Sequence, residues 1–146
     1  MPRRWHDRVM VPYLACMALV ASFYQLPPRV LPSIHAVEGG QAGTVHVNAD
    51  GSADLGVMQV NTRWVHPLAR FIGTSDATVR QRLIAEPCFN IAAGGAILRT
   101  YLVESHGDLM QAIGYYHSHT PMLGKSYQAL VMRSAARLFG AATHPQ

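Results

Sequence analysis

Residues 27–40 read PPRVLPSIHAVEGG, and this stretch decides what kind of molecule the chain makes. Pro27-Pro28 cannot continue a helix that precedes them, yet they suit the start of the next one. Proline's fixed φ and missing N–H cost nothing in a first turn. Val30, Leu31, Ile34 and Val37 recur at helical spacing, so the segment predicts a helix over Pro28–Glu38, ended by Gly39-Gly40. Glu38 follows Ile34 by four residues and Leu31 by seven, which puts its carboxyl on the apolar face. It is also the last helical residue, where the helix dipole disfavours a negative charge. Burial and dipole both raise a carboxyl pKa. Glu38 is therefore the candidate general acid.

Outward from this helix, residues 13–25 read as a first helix, stopped by the same two prolines. Downstream, residues 39–54 are rich in Gly, Asn, Asp and Ser, and Asp50-Gly51 is a strong turn signal. Val45–Val47 and Ala53–Leu55 flank that turn and predict a short hairpin. Met58–Phe71 carries a mostly helical pattern. Further helices are predicted over 76–85, with Ser75 or Asp76 as cap, over Ile91–Ser105, over Leu109–Tyr115 and over Lys125–Phe139. The expected fold is mostly α, an α+β arrangement with a small β-hairpin region beside a cleft. Its domain spans 13–140, between tails at 1–12 and 141–146.

A chain of 146 residues has room for one core. With 49% apolar and 14% charged residues it is too hydrophobic to be disordered. The formal charge of +4 suits polyanions in general, including acidic wall polymers. The twelve Lys and Arg are scattered rather than clustered with aromatics, which argues against nucleic acid. His117 and His119 sit at i,i+2 and do not share a helix face, and no Cys/His spacing suits zinc, so no metal is expected. Arg3, Arg4 and Arg8 precede the apolar run Val9–Leu19, the outline of an export signal. That run is interrupted by Pro12 and is too short to span a membrane. Retention of residues 11–25 as a first helix is the alternative. Cys16 and Cys88 are open to three readings: one disulfide in an exported protein, two unrelated thiols, or two buried apolar residues.

Of the eight acidic residues, five have structural explanations: Asp7 in the N-terminal tail, Asp76 as a cap, Glu86 in a turn, Glu104 and Asp108 near a helix end. Glu38 does not, and its surroundings carry a resemblance. PPRVLPSIHAVE at 27–38, Gly39-Gly40, NADGSADLGVMQVN at 48–61, Trp64, PCFN at 87–90, Gly94–Leu98 and AIGYYHSHTP at 112–121 occur in an order that resembles the soluble lytic transglycosylases and goose-type lysozymes. The small members that accompany secretion and conjugation machines are the most similar.

The resemblance implies that Glu38 is the acid that cleaves peptidoglycan between N-acetylmuramic acid and N-acetylglucosamine. It implies no cofactor, with glycan strands as substrate and a secretion, conjugation or pilus machine as partner; an exported, periplasmic monomer is expected. Met58 and Gln59, in the Gly56–Gln59 run, would line the substrate groove, with Asn61 as lining or as a structural amide. Tyr116 would hold substrate or orient Glu38, and His117 stands where some relatives carry Asn. Cys16 and Cys88 match a cysteine pair of the secretion-associated members, which implies a bridge between them.

Two departures bear on mechanism. Gly39 replaces the serine that usually follows the acid, which keeps a non-catalytic wall-binding role in play. Asp50 and Asp54 are the available second carboxylates, Asp50 more simply a turn residue, and with Asp54 in that role the chain would be a hydrolytic muramidase on the same bond. The more economical reading has Asp54 bracing its loop through backbone hydrogen bonds.

Overall fold

The computed structural model describes residues 11–140. Most of the expected tail segments, and with them the basic residues of the export-signal outline, lie outside the described residues. Seven helices and one small sheet make up the described part: α1 (Leu14–Phe23), α2 (Val30–Glu38), β1 (Val45–Val47), β2 (Ala53–Leu55), β3 (Val60–Asn61), α3 (Val65–Ile72), α4 (Asp76–Ala85), α5 (Pro87–Glu104), α6 (Leu109–His117) and α7 (Pro121–Phe139). The fold is mostly helical with a three-stranded antiparallel sheet in the order β1-β2-β3.

The helix α2 is the axis of the core. Val30 through His35 are all buried, with Leu31 and Ile34 showing no exposed surface. It packs on α7, α1 and α5. A helix buried on every side must place its polar end at an opening, and its last residue, Glu38, is the only carboxylate it carries. The helix stops because Gly39 turns left-handed, at φ 68°, and its N–H returns to the His35 carbonyl at 2.8 Å. At the next position any Cβ would collide with the carbonyls of Gly56 and Val57, so Gly40 is what lets the end of α2 lie against the loop after β2.

The hairpin of β1 and β2 pairs Val45 with Leu55 and Val47 with Ala53, and β3 adds Asn61 opposite Asp54. The helical pattern expected over Met58–Phe71 holds from Val65 onward and is corrected before it. Gly56 and Gln59 both have positive φ, 67° and 52°, so the chain turns sharply between β2 and β3. A short 3-10 turn, Thr62–Trp64, then leads into α3. Val57, Met58 and Val60 are buried because that turn is pressed against α5, not because they share a helix face. Apolar spacing alone does not separate these two arrangements. The helices α5 and α7 also begin earlier than expected, each with a proline in its first turn, at Pro87 and Pro121.

A disulfide joins Cys16 of α1 to Cys88 of α5, with Cα atoms 5.7 Å apart and a sequence separation of 72. Of the three readings open from composition, the bridge is the one the structure contains. It ties α1 to the body of the fold and is consistent with an oxidising, extracytoplasmic space. Among the described residues no helix is long and apolar enough to cross a membrane.

Candidate active site

Between the end of α2, the sheet and the C-terminal turn of α6 lies an open cleft of about 280 Å³. Glu38 forms part of its wall, facing Asp54 and Gln59 from the sheet side and Tyr116 and His117 from α6. Its carboxyl is pushed up from an ordinary 4.5 to about 7, chiefly because burial penalises the charged form. A hydrogen bond from the Tyr127 hydroxyl to Oε1, 2.7 Å long, opposes this, and the neighbouring Asp54 charge adds to it. At neutral pH a large share of Glu38 is therefore protonated and able to give a proton.

Tyr127 is a residue the sequence analysis did not single out. It lies in the buried stripe Gly124, Tyr127, Val131 of α7 and is 4% exposed. A buried tyrosine must satisfy its hydroxyl. That requirement was the available signal, since α7 has no acidic residue of its own to serve as partner. The resemblance had given Tyr116 the choice between holding substrate and orienting Glu38. The group hydrogen-bonded to Glu38 is Tyr127, while the Tyr116 hydroxyl donates to the Met58 carbonyl at 2.9 Å. Tyr116 lines the cleft and ties α6 to the loop that carries Gln59.

Met58 is corrected as a groove residue. Its side chain has no exposed surface and cannot reach a sugar. Its backbone is the useful part: the N–H donates to Asn90 Oδ1 at 2.7 Å, and the carbonyl accepts from Tyr116. Asn90, fully buried, also donates from Nδ2 to the carbonyls of Leu55 and Leu83, at 2.7 and 2.8 Å. A Cβ on Gly56 would strike that amide. Glycine at 56 and asparagine at 90 together set the turn, and the turn aims Gln59 into the cleft. The Gln59 amide nitrogen is anchored on the Gly56 carbonyl at 3.0 Å.

The sheet side is a polar network. Asn61 lines the cleft and is also a structural amide: its Nδ2 donates to Asp54 Oδ1 at 3.0 Å and to Ser52 Oγ at 3.1 Å, while its Oδ1 caps the 3-10 turn. Asp54 thus takes its bond from a side chain, not from the backbone groups expected of a loop brace. Its other oxygen stands 3.9 Å from the imidazole of His46. Asp50 is held below the usual carboxylate range by the hydroxyl and amide of Ser52, as a turn aspartate. Asn48, Asp50, Ser52, Val60, Arg63, Trp64 and Ile97 complete the lining. Trp64 leans edge-on against Tyr101, whose hydroxyl accepts from Arg63 at 3.2 Å. This offers an aromatic face beside hydrogen-bonding groups, the combination a sugar ring uses. Gly39 is not part of the cleft; it borders a separate hollow with His35 and Arg137.

No family model matches the chain. It is 30% identical over 114 residues to Protein IpgF of Shigella sonnei, covering 75% of this chain and 71% of that protein. Protein IpgF of Shigella flexneri matches at 29% over the same extent. Invasion protein IagB of Salmonella typhimurium is 26% identical over 117 residues, 80% of this chain and 69% of its own length. On extent and identity together, the chain belongs to the family of IpgF and IagB.

Proposed function

We propose that the chain is a peptidoglycan lytic transglycosylase that opens the wall locally for a secretion, conjugation or pilus machine. The observation that carries this is Glu38: a carboxyl in the wall of an open polar cleft, protonated to a large extent near pH 7. Cleavage of a glycosidic bond needs such an acid, because the leaving oxygen must receive a proton as the bond to C1 breaks. In the reading we favour, Glu38 protonates the oxygen between N-acetylmuramic acid and N-acetylglucosamine. The acetamido oxygen of the muramic residue bonds to C1 as the leaving group departs. The Glu38 carboxylate then takes the proton of the C6 hydroxyl, O6 displaces the acetamido oxygen at C1, and a 1,6-anhydro end forms without water. One side chain serves as acid and then base, and an intermediate pKa suits both steps. Gln59 and Tyr116 border the reacting bond. Kinship with a protein named for invasion fits work beside a secretion machine.

A specific observation favours a second reading, hydrolysis. Asp54 lines the same cleft, is close enough to raise Glu38, and is held by Asn61. Two carboxylates across a sugar bond are the apparatus of a muramidase. The non-catalytic reading rested on the missing serine after the acid. In this fold position 39 is a left-handed glycine that borders a separate hollow.

Digestion of purified sacculi, with mass spectrometry of the released muropeptides, separates these readings. Anhydro ends lacking one water support transglycosylation, and reducing ends support hydrolysis with Asp54. Glu38→Gln is expected to release neither while still binding sacculi. A wild-type chain that binds and releases nothing would overturn the enzymatic reading.

A further inference from the structure

The chemistry above gives His117 no part, and its placement suggests one. The buried Tyr127 ring, whose hydroxyl holds Glu38, is covered by the imidazole of His117. The ring centroids are 5.0 Å apart and the planes 12° from parallel. His117 is the last residue of α6 and lines the cleft, whereas Tyr127 sits in the second turn of α7. What brings them together is a close approach of the two helices. A Cβ at Gly114 would stand 3.4 Å from the Gly124 Cα, and one at Gly124 would stand 3.3 Å from the Ser118 carbonyl oxygen. Both glycines are buried, so the helices touch backbone to backbone and their two rings are left face to face.

The Tyr127 hydroxyl is at the far end of its ring, so a small tilt of the ring carries it off the carboxyl. A flat neighbour lying parallel to the ring resists that tilt. We infer that His117 is a positioning residue: by stacking on Tyr127 it fixes the phenol that holds the Glu38 carboxyl in the cleft. This rests on the reading of Glu38 as the acid. The titratable groups around Glu38 are Tyr127 from α7, Tyr116 and His117 itself from α6, and Asp54 from β2. Of these, Tyr127 is the one that favours the ionised form. Loosening the clamp therefore releases Glu38 toward the protonated state.

The test compares wild type, His117→Ala and His117→Phe, since Phe keeps a flat ring and loses the nitrogens. Glu38 is titrated by carbon NMR of its labelled carboxyl, and kcat and KM are measured on isolated glycan strands. In His117→Ala the Glu38 midpoint is expected to rise by roughly half a pH unit. The same variant should lose about tenfold in kcat, with KM held within about twofold. His117→Phe should return the midpoint to the wild-type value and recover most of the lost kcat. An unmoved midpoint in His117→Ala overturns the inference. So does a rise in KM at constant kcat, which would make His117 a substrate contact, and so does an equal loss in both variants, which would assign the effect to a ring nitrogen. If the chain cleaves no glycan, the reading of function fails, and the titration alone decides the clamp.

Discussion

Replacing Glu38 with Gln keeps the shape of the side chain and removes its charge, so it isolates the cost of ionising a carboxyl in this wall. The folded carboxyl titrates at about 7, against an ordinary 4.5. Between those values the folded chain binds more protons than the unfolded chain. Stability therefore falls as pH rises through that window, and above about 7 the loss is complete. The full shift corresponds to roughly 3 kcal/mol. Glu38 borders an open cleft and part of the charge is screened, so about 1–2 kcal/mol is the expected effect. Glu38→Gln escapes this cost and can still accept from Tyr127. It should be more stable than wild type by that amount at pH 8.5, while at pH 4.5 the two should unfold alike. Urea unfolding of both proteins at both pH values measures it, read as the difference between variant and wild type. Equal stability at pH 8.5, or a variant less stable at both, would refute the claim that burial holds this carboxyl protonated.

Three further outcomes follow from particular contacts. Tyr127→Phe removes the one hydrogen bond that favours ionised Glu38, so the Glu38 midpoint and the alkaline limb of activity should move up by about one pH unit. A profile that stays in place would mean the bond contributes nothing. Replacing Cys16 and Cys88 together by Ser opens a loop with a sequence separation of 72 and should cost about 2–5 kcal/mol in urea unfolding. Dithiothreitol should weaken the wild type in the same way and leave the double variant unchanged. Asn90→Leu leaves the Met58 N–H and the carbonyls of Leu55 and Leu83 without their partner, at a cost of about 3 kcal/mol or more, and should lower activity even where the chain remains folded, because the turn bearing Gln59 loosens. Circular dichroism and turnover measured on the same sample would detect both effects.

Much of the fold was legible because local chemistry and packing agree. Glu38 at the end of an apolar helix, the hairpin around Asp50-Gly51 and the Ser75 cap are each written in a few adjacent residues, and each is where the sequence puts it. The start of Met58–Phe71 is not a helix, because its apolar spacing fits a helix as well as a tight turn held by Asn90, a residue 32 positions away from its Met58 partner. The site divides in the same way. Glu38, Asp54, Gln59, Asn61, Tyr116 and His117 fall on the cleft as single positions whose chemistry stands out. Tyr127 does not, since it reaches Glu38 across 89 residues and looks locally like a core aromatic. Met58 was placed in the groove by analogy, whereas only its backbone serves the site.

The most direct measurement is the titration of the Glu38 carboxyl in the wild-type protein by carbon NMR. A midpoint near 7 is expected, with the resonance still shifting between pH 6 and 8. A midpoint in the range of a free glutamate, about 4 to 5, would contradict the account, because the cleft would then hold an ionised carboxylate at neutral pH with no proton to give.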